Sequence, residues 1–436
     1  MNPDQEYVLK TIESRDVHFV RFWFTDVLGQ VKSFAVNPNE LESAFEEGMG
    51  FDGSRIEGFS DEFGTDCDLL AFPDASTFQV LPWRPDSNAV ARMFCSIRKP
   101  NGEVHERSPR HILARVVEAL SEAGFEAAIA PEIEYFYFQN AQGTELLDDG
   151  GYFDLNTLDS GSDLRRDTIL TLEKMGIPVE MSHHEVSPSQ HEVDLRPTGV
   201  LEAADEVQTC KMVVKEIAAA HGVYASFMPK PREDCAGSGM HVNISLFDKA
   251  ENNCFFDATD SAGLNLSATA KSFIAGLLKY APELSLLTNQ YVNSYKRLAA
   301  GNDAPMCTSW GRVGRNLMVR VPGHKPNKEA TRHVVLRNPD PSCNPYLAFA
   351  AILTAGLSGI QEGLELTAPM DLCLPEETPL PTNLGEALAL FAKSELAHKV
   401  LGDDVFTYLL NTKRAEWQDY QQSVSTWDIS RYLEVL

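Results

Sequence analysis

Residues 183–195 read HHEVSPSQHEVDL, and no other stretch so narrows what the chain can fold into. His-Glu-Val stands on both sides of Ser187-Pro188-Ser189-Gln190, a turn signal, so the segment predicts a β-hairpin. With 187–190 as a four-residue loop, Val186 pairs with His191 and Glu185 with Glu192. Pro188 suits a type I turn in such a loop; a two-residue primed turn would need positive φ there. Like charges placed directly opposite one another destabilise a sheet. Two readings stand: solvated glutamates on an exposed face, or carboxylates that share a cation.

A second acidic pair lies in APEIEYFYF, residues 130–138. Glu132 and Glu134 are two apart on a predicted strand, so both point to one face while Ile133 and Tyr135 point to the other. Apolar and aromatic neighbours keep that face from full solvation, and two carboxylates held close suppress ionisation of one unless a cation shares them. Four carboxylates from two strand regions form an oxygen-rich set of the kind that suits Mg²⁺ or Mn²⁺. The alternative is edge-strand glutamates that block aggregation. In AGSGMHVNIS, residues 236–245, a small-residue loop leads into a strand carrying His241, a ligand candidate if that strand adjoins the glutamates. The loop is neither GxGxxG nor a Walker A, so it supports no dinucleotide or P-loop assignment.

Between 296 and 337 the charge balance inverts. Nine bases (Lys296, Arg297, Arg312, Arg315, Arg320, Lys325, Lys328, Arg332, Arg337) face two acids (Asp303, Glu329), in a chain whose net charge is −26. Arginine dominates, as expected where a planar guanidinium grips phosphate or carboxylate through two bonds; a basic subunit contact is the alternative. A carboxylate–metal cluster plus an arginine cluster is equipment for phosphoryl transfer from a nucleotide. The acceptor is not named by spacing.

The strong acidity argues against nucleic acid and anionic membrane surfaces as partners. No apolar run reaches the roughly 18 residues of a membrane span, and MNPDQEYVLK has no secretory character. The eight cysteines (67, 95, 210, 235, 254, 307, 343, 373) are scattered without a CxxC pair, which predicts buried free thiols in a reducing cytoplasm. At 436 residues and 43% hydrophobic, the chain has material for two cores. Residues 17–36 predict two strands around a turn, with an acidic helix near 38–48. The turn-rich KPNGEVHERSP, 99–109, places a boundary between domains 1–105 and 106–436. Ser108 is expected to cap a helix with Pro109 at its first position, ending at Gly124. Helices and strands then alternate: strands at 126–138, 223–229 and 240–247, helices near 163–176, 201–221, 262–289 and 345–362, and a mostly helical C-terminus. The fold class is α+β.

Taken together, FDGSRIEGF (51–59), PEIEYF (131–136), HHEV…HEVDL, FMPKP (227–231), GSGMH (237–241), NSYKRL (293–298), VRVP (319–322) and NPDPSCNPYLAFAAILTAGLSGI (338–360) resemble the type I glutamine synthetases, in that family's order and over nearly the whole chain. The resemblance implies an N-terminal β-grasp domain and a catalytic domain with a curved antiparallel sheet, assembled as a dodecamer of two hexameric rings with active sites between subunits. It implies a cytoplasmic ligase of nitrogen metabolism that uses ATP to activate glutamate and then joins it to ammonia or a small amine. Position by position, Glu134, Glu185 and Glu192 match ligands of a first Mg²⁺ or Mn²⁺, and Glu132, Glu192 and His241 those of a second. Arg297, Arg337 and Gly237 match substrate-binding positions, with Glu134 beside them. Arg315 and Arg320 match residues handling the transferred phosphoryl group, and Glu180, Ser245 and Lys328 match nucleotide contacts. Asp52, from the neighbouring subunit, and Tyr152 match the ammonium site, and Asp303 stands at the flap carboxylate.

The same comparison implies departures. Val335 stands at a glutamate ligand of the second metal. His333 and Asn243 replace an arginine and a histidine near the ATP phosphates, and Ala236 replaces an asparagine that contacts the substrate. Asp303 is one methylene shorter than the flap glutamate, and Arg55 replaces a serine beside the ammonium pocket. Leu372 stands near the position of an adenylylated tyrosine, so no adenylylation is expected. Three readings stay open: a ligase with a changed amine acceptor, a plain glutamine synthetase, and an impaired paralogue with a regulatory or assembly role.

Overall fold

The computed structural model describes every residue except 61–67, 156–157, 261–262, 301–302, 324–325 and 374–377; Cys67 and Lys325 thus lie outside the described residues. After α1 (Pro3–Ser14), the N-terminal part holds β1 (Val17–Thr25), β2 (Val31–Val36), α2 (Leu41–Glu47), β3 (Met49–Asp52), β4 (Asp68–Pro73), β5 (Gln79–Val80) and β6 (Ala89–Arg98). These strands form one sheet of order β2-β1-β6-β4-β3, with β5 also on β6. β1 and β6 run parallel; the other pairs are antiparallel. Phe22, Trp23, Phe24, Met93 and Phe94 are all buried, so both faces of this sheet are covered along β1 and β6.

The remainder comprises α3 (Pro109–Glu122), β7 (Glu126–Phe138), α4 (Ser162–Lys174), β8 (Val179–His184), β9 (Gln190–Leu195), β10 (Thr198–Gly199), α5 (Val200–Ala220), β11 (Tyr224–Ser226), β12 (Met240–Phe247), α6 (Ala268–Thr288), α7 (Val292–Ala300), β13 (Trp310–Gly311), β14 (Val319–Arg320), β15 (Val334–Leu336), α8 (Pro345–Glu362), α9 (Leu384–Phe391), α10 (Glu395–Gln422) and α11 (Thr426–Tyr432). Its sheet has the order β13-β14-β15-β12-β7-β9-β8, with β10 and β11 on β7. The fold is α+β: a β-grasp domain, then a catalytic domain with a curved sheet and helices.

Helix α8 is apolar nearly all round and buried from Pro345 to Gly359 except at Thr354. Its cap does two jobs. The Asn344 carboxamide oxygen accepts from Tyr346 N (3.1 Å), while its NH₂ donates to the carbonyls of Asp26 (3.1 Å) and Val27 (3.2 Å) in the β1–β2 turn. α6 meets α8 along glycines: a Cβ on Gly276 would lie 2.3 Å from the Ala355 carbonyl oxygen. Arg110 of α3 grips Asp205 of α5 through Nε (3.1 Å) and Nη2 (2.9 Å), and Nη2 also reaches Asp74 just after β4 (2.9 Å). Tyr346 donates its hydroxyl to the same Asp205 (2.5 Å).

Four expectations need correction. Ser108 occupies the cap of α3, with Pro109 at the first position, but its side chain makes no capping bond. The strand expected at 223–229 closes at Ser226, because Pro229 and Pro231 have no N–H for a ladder. The helix expected from 262 begins at Ala268, where Ser267 accepts from Ala270 N (3.0 Å); ahead of it Leu266 bridges back to Phe256. The cysteines are not all free: Cys307 and Cys373 form a disulfide, whereas Cys95, Cys210, Cys235, Cys254 and Cys343 are unpaired. Among the described residues, no helix is long and apolar enough to cross a membrane.

Candidate active site

The hairpin forms in a different register. His183 opposes Glu192 and His184 opposes His191, so Glu185 faces Gln190, whose carbonyl accepts from Glu185 N (2.7 Å). The turn runs from Ser187 to Gln190, with Gln190 N donating to Ser187 O (3.0 Å) and Ser189 at φ 60°. Positive φ at the third position is the type II pattern, not the expected type I. Tertiary bonds select it: Ser189 Oγ accepts from Leu147 N (2.6 Å) and Asp148 N (2.9 Å), and Ser189 N donates to Asp148 Oδ1 (2.8 Å). Because the shift is even, Glu185 and Glu192 still share a face. They are diagonal neighbours rather than direct partners.

The direct like-charge partners lie one strand further on. β7 pairs with β9 so that Glu134 opposes Glu192 and Glu132 opposes Asp194, while β12 sets His241 opposite Glu132. Three strands therefore aim one acidic face into a cavity of about 350 Å³. His241 Nδ1 lies 3.0 Å from Glu132 and its Nε2 3.7 Å from Glu134; the two nitrogens of His183 lie 3.5 Å from Glu185 and 3.4 Å from Glu192. Gln190 Nε2 (3.1 Å) and Gly239 N (2.9 Å) both donate to Glu134.

The electrostatics follow from crowding. Burial and the Glu185 charge raise Glu134 to about 8, and burial with the Glu134 charge pushes Glu192 well up. Burial and Glu132 raise Asp194 to about 7. Glu132 goes the other way: burial opposes ionisation, but the His241 and Asn243 hydrogen bonds overcome it. Burial and Arg337 lower His241. Asp194 Oδ1 is buried with no hydrogen-bond partner. Ligand atoms of Glu132, Glu192 and His241 lie within 4.8 Å of one another, as do those of His183, Glu185 and Glu192. A third buried group, Asp148, His184 and His191, is spaced similarly, but the Arg165 guanidinium sits 2.7 Å from His191 Nδ1 and already fills the cation's role there.

The same cavity also has a basic lining. Arg297 is buried and donates to the carbonyls of Asn338 (2.9 Å), Pro339 (3.1 Å) and Arg337 (3.0 Å). The GSGMH loop passes so close that a Cβ on Gly237 would lie 2.6 Å from Arg297 Cγ, and one on Gly239 2.5 Å from Nη2. Only glycine admits this approach. Arg337 donates to the Asp303 carbonyl (3.4 Å), and Arg315 reaches the Asp303 carboxylate (3.8 Å).

Of the residues predicted from sequence, Glu132, Glu134, Glu185, Glu192, His241, Tyr152, Gly237, Arg297, Asp303, Arg315, Arg320 and Arg337 line this one cavity, with Ala236. Tyr152 is half exposed and stacks on Phe153 (4.1 Å). Asp52, Glu180, Ser245 and Lys328 do not line it. Asp52 sits on β3, accepting from Ser54 N (2.8 Å); Glu180 is exposed on β8, and Lys328 is exposed ahead of β15. Ser245 continues the His241 and Asn243 face of β12 and donates to Arg332 O (3.0 Å). Sequence reasoning missed Asp194, His183, Gln190 and Lys230, all in the wall. Asp194 was accessible to it, standing two residues beyond Glu192 on one strand.

Fold and cavity define the class: a two-domain α+β protein whose catalytic sheet holds acids against arginines. Two family models match it, "Glutamine synthetase, beta-Grasp domain" over residues 16–100 and "Glutamine synthetase, catalytic domain" over 106–432. A glutamine synthetase from Mycolicibacterium smegmatis is 48% identical across the whole of both chains, and one from Methanosarcina mazei is 44% identical over 99% of this chain and 98% of that protein. A solved structure described as apo GmaS without ligand superposes with a TM-score of 0.88 at 28% identity, covering 98% of this chain and 99% of that one. The cryo-EM structure of Plasmodium falciparum glutamine synthetase, at 22% identity, shares the fold with a TM-score of 0.91 over 98% of each chain. The chain belongs to the glutamine synthetase family, and with it to the ATP-dependent ligases.

Proposed function

We propose that the chain forms an amide between the γ-carboxylate of glutamate and ammonia or a small amine, at the expense of ATP. The observation that supports this best is the single cavity in which the buried or half-buried carboxylates of Glu132, Glu134, Glu185, Glu192 and Asp194 stand with His241, Arg297, Arg315, Arg320 and Arg337. The γ-carboxylate oxygen attacks the terminal phosphorus, ADP leaves, and γ-glutamyl phosphate results. The amine nitrogen then attacks the acyl carbon, phosphate departs, and the nitrogen gives up a proton.

Arg297, already fixed by three carbonyls, and Arg337 hold substrate carboxylates, with Gly237 keeping the loop out of their way. Arg315 and Arg320 spread the charge of the transferring group. Glu180, Ser245 and Lys328 contact the nucleotide. Tyr152, with Asp52 of a neighbouring subunit, frames the amine, and Asp52 takes its proton; Asp303 covers the intermediate. The donor set fits divalent cations: Glu134 directly opposes Glu192 and Glu132 opposes Asp194 across one ladder, and Asp194 Oδ1 is orphaned. Glu134, Glu185 and Glu192 would hold one Mg²⁺ or Mn²⁺, and Glu132, Glu192 and His241 a second. Such ions, when bound, polarise phosphoryl oxygens and neutralise developing charge. The domains divide at 105/106, twelve copies form two stacked rings in the cytoplasm, and Leu372 leaves no adenylylation site. The test is ADP release with glutamate, Mn²⁺ and a panel of amines including ammonia and hydroxylamine. Failure of every amine overturns the ligase reading.

One observation favours a second reading. Val335 is buried and sits opposite Asn243 on the next strand, so β15 offers no carboxylate to the Glu132–His241 side. An impaired paralogue with a regulatory or assembly role would bind Mg·ATP weakly and not turn over. Ordinary affinity by calorimetry, together with turnover, excludes it.

A further inference from the structure

A second cavity, of about 520 Å³, shares no lining residue with the first. It lies between the β1–β2 turn, α5, residues 227–229, the start of α7 and the far end of α10. Lys211 and Lys215, one helical turn apart on α5, both place Nζ 5.7 Å from the ring of Phe227. Lys211 donates once, to Pro341 O (2.7 Å), and keeps two further N–H bonds. Among the described residues no carboxylate pairs with either lysine. The one acid in the wall, Glu416, is bound to Lys413 (2.8 Å). The rest of the lining includes Val31, Met212, Met228 and Val292. Two unneutralised ammonium groups beside an apolar wall, in a chain at −26, form a pocket of the kind that binds small molecules: apolar body, few polar anchors.

We propose that this cavity is a binding site for a small organic anion, a carboxylate carried on an apolar body. The carboxylate bridges Lys211 and Lys215 by charge-assisted hydrogen bonds, and the body packs on Phe227, Met212 and Met228. An inorganic anion would leave that wall unused. Burial lowers Lys211 to about 8, and an anion beside it favours the charged form.

The site is mechanically continuous with the catalytic cavity. Pro229, in its wall, accepts Ser238 N through its carbonyl (2.8 Å), which holds the glycine loop against Arg297. Asn293, also in its wall, brackets Lys230, accepting from its N (2.7 Å) and donating to its O (3.0 Å); Lys230 faces the catalytic carboxylates' cavity. Occupancy therefore shifts glutamate affinity, and glutamate reciprocally shifts anion affinity.

The experiment is titration calorimetry of the full-length assembled protein with benzoate and, separately, inorganic phosphate, so it needs no catalytic activity. Saturable benzoate binding is expected, weakened roughly tenfold or more in Lys215→Met and intact in Glu192→Gln. Circular dichroism checks that Lys215→Met, a change at the rim, remains folded. Absence of benzoate binding, binding of phosphate alone, equal binding by Lys215→Met, or complete displacement by glutamate in a one-for-one competition each overturns the assignment.

Discussion

Glu134 and Glu192 stand directly opposite one another across the β7–β9 ladder, each more than nine-tenths buried. A sheet does not place two carboxylates so without a reason outside the ladder. Burial and Glu134 make ionisation of Glu192 costly; Glu192→Gln removes that cost, so the protein freed of divalent ions should melt higher than the wild type. The same change should erase most of the melting-temperature rise that Mn²⁺ confers on the wild type. Differential scanning calorimetry with and without chelator decides it; an unchanged Mn²⁺ response contradicts the shared-cation reading.

Gly239 is where the GSGMH loop passes against Arg297. In Gly239→Ala the new methyl meets Arg297 Nη2 at 2.5 Å, and the guanidinium or the loop must move. Steady-state kinetics should show kcat/KM for glutamate falling about a hundredfold, corresponding to roughly 3 kcal/mol of misplaced binding. The melting temperature should drop only slightly.

Arg110, Asp205, Asp74 and Tyr346 form a buried, charge-assisted junction of α3, α5, α8 and the segment after β4. Asp205→Asn leaves the guanidinium short of its principal counter-charge. The expected loss is about 3–5 kcal/mol, seen as a lower denaturant midpoint. A change within error would show that Asp74 alone suffices.

Glu206, buried on α5 and not part of the acidic cavity's lining, is raised to about 8 from its ordinary 4.5 by burial and by Glu202. The folded chain keeps a proton there that the unfolded chain has released, so its contribution to stability falls as pH climbs from 4.5 to 8. Glu206→Gln should be nearly neutral near pH 4.5 and stabilising near pH 8, by on the order of 3 kcal/mol. Urea unfolding at the two pH values measures the difference; a pH-independent effect rejects it.

The Cys307–Cys373 bond joins residues 66 apart in sequence and fastens the segment around Met370, whose N donates to Trp310 O (2.8 Å), to the strand edge. Chain-entropy reasoning gives about 4 kcal/mol for closing such a loop. Cys373→Ser should lower the unfolding midpoint to that of reduced wild type, and reductant should then have no further effect.

Much of this was legible in the residues. The period-two spacing of Glu132 and Glu134 located one acidic strand, and the His-Glu-Val repeat located the hairpin. The arginine-rich run supplied Arg297, Arg315, Arg320 and Arg337 to the same cavity. The hairpin's register was not legible, because it is set by Ser189 bonding to Asp148, some forty residues away. Nor was the disulfide: Cys307 and Cys373 are brought together only when Met370, Thr378 and Leu380 bond back to Trp310, Thr308 and Met306. Asp194 was passed over although its parity with Glu192 placed it on the same face.

The carboxamide of Asn344 reaches the backbone of Asp26 and Val27 while it starts α8. The two halves are therefore poor candidates for exchange as free-standing cassettes. A chimera carrying a foreign first half must reproduce that turn's two carbonyls in place, or the deeply buried α8 begins without its anchor.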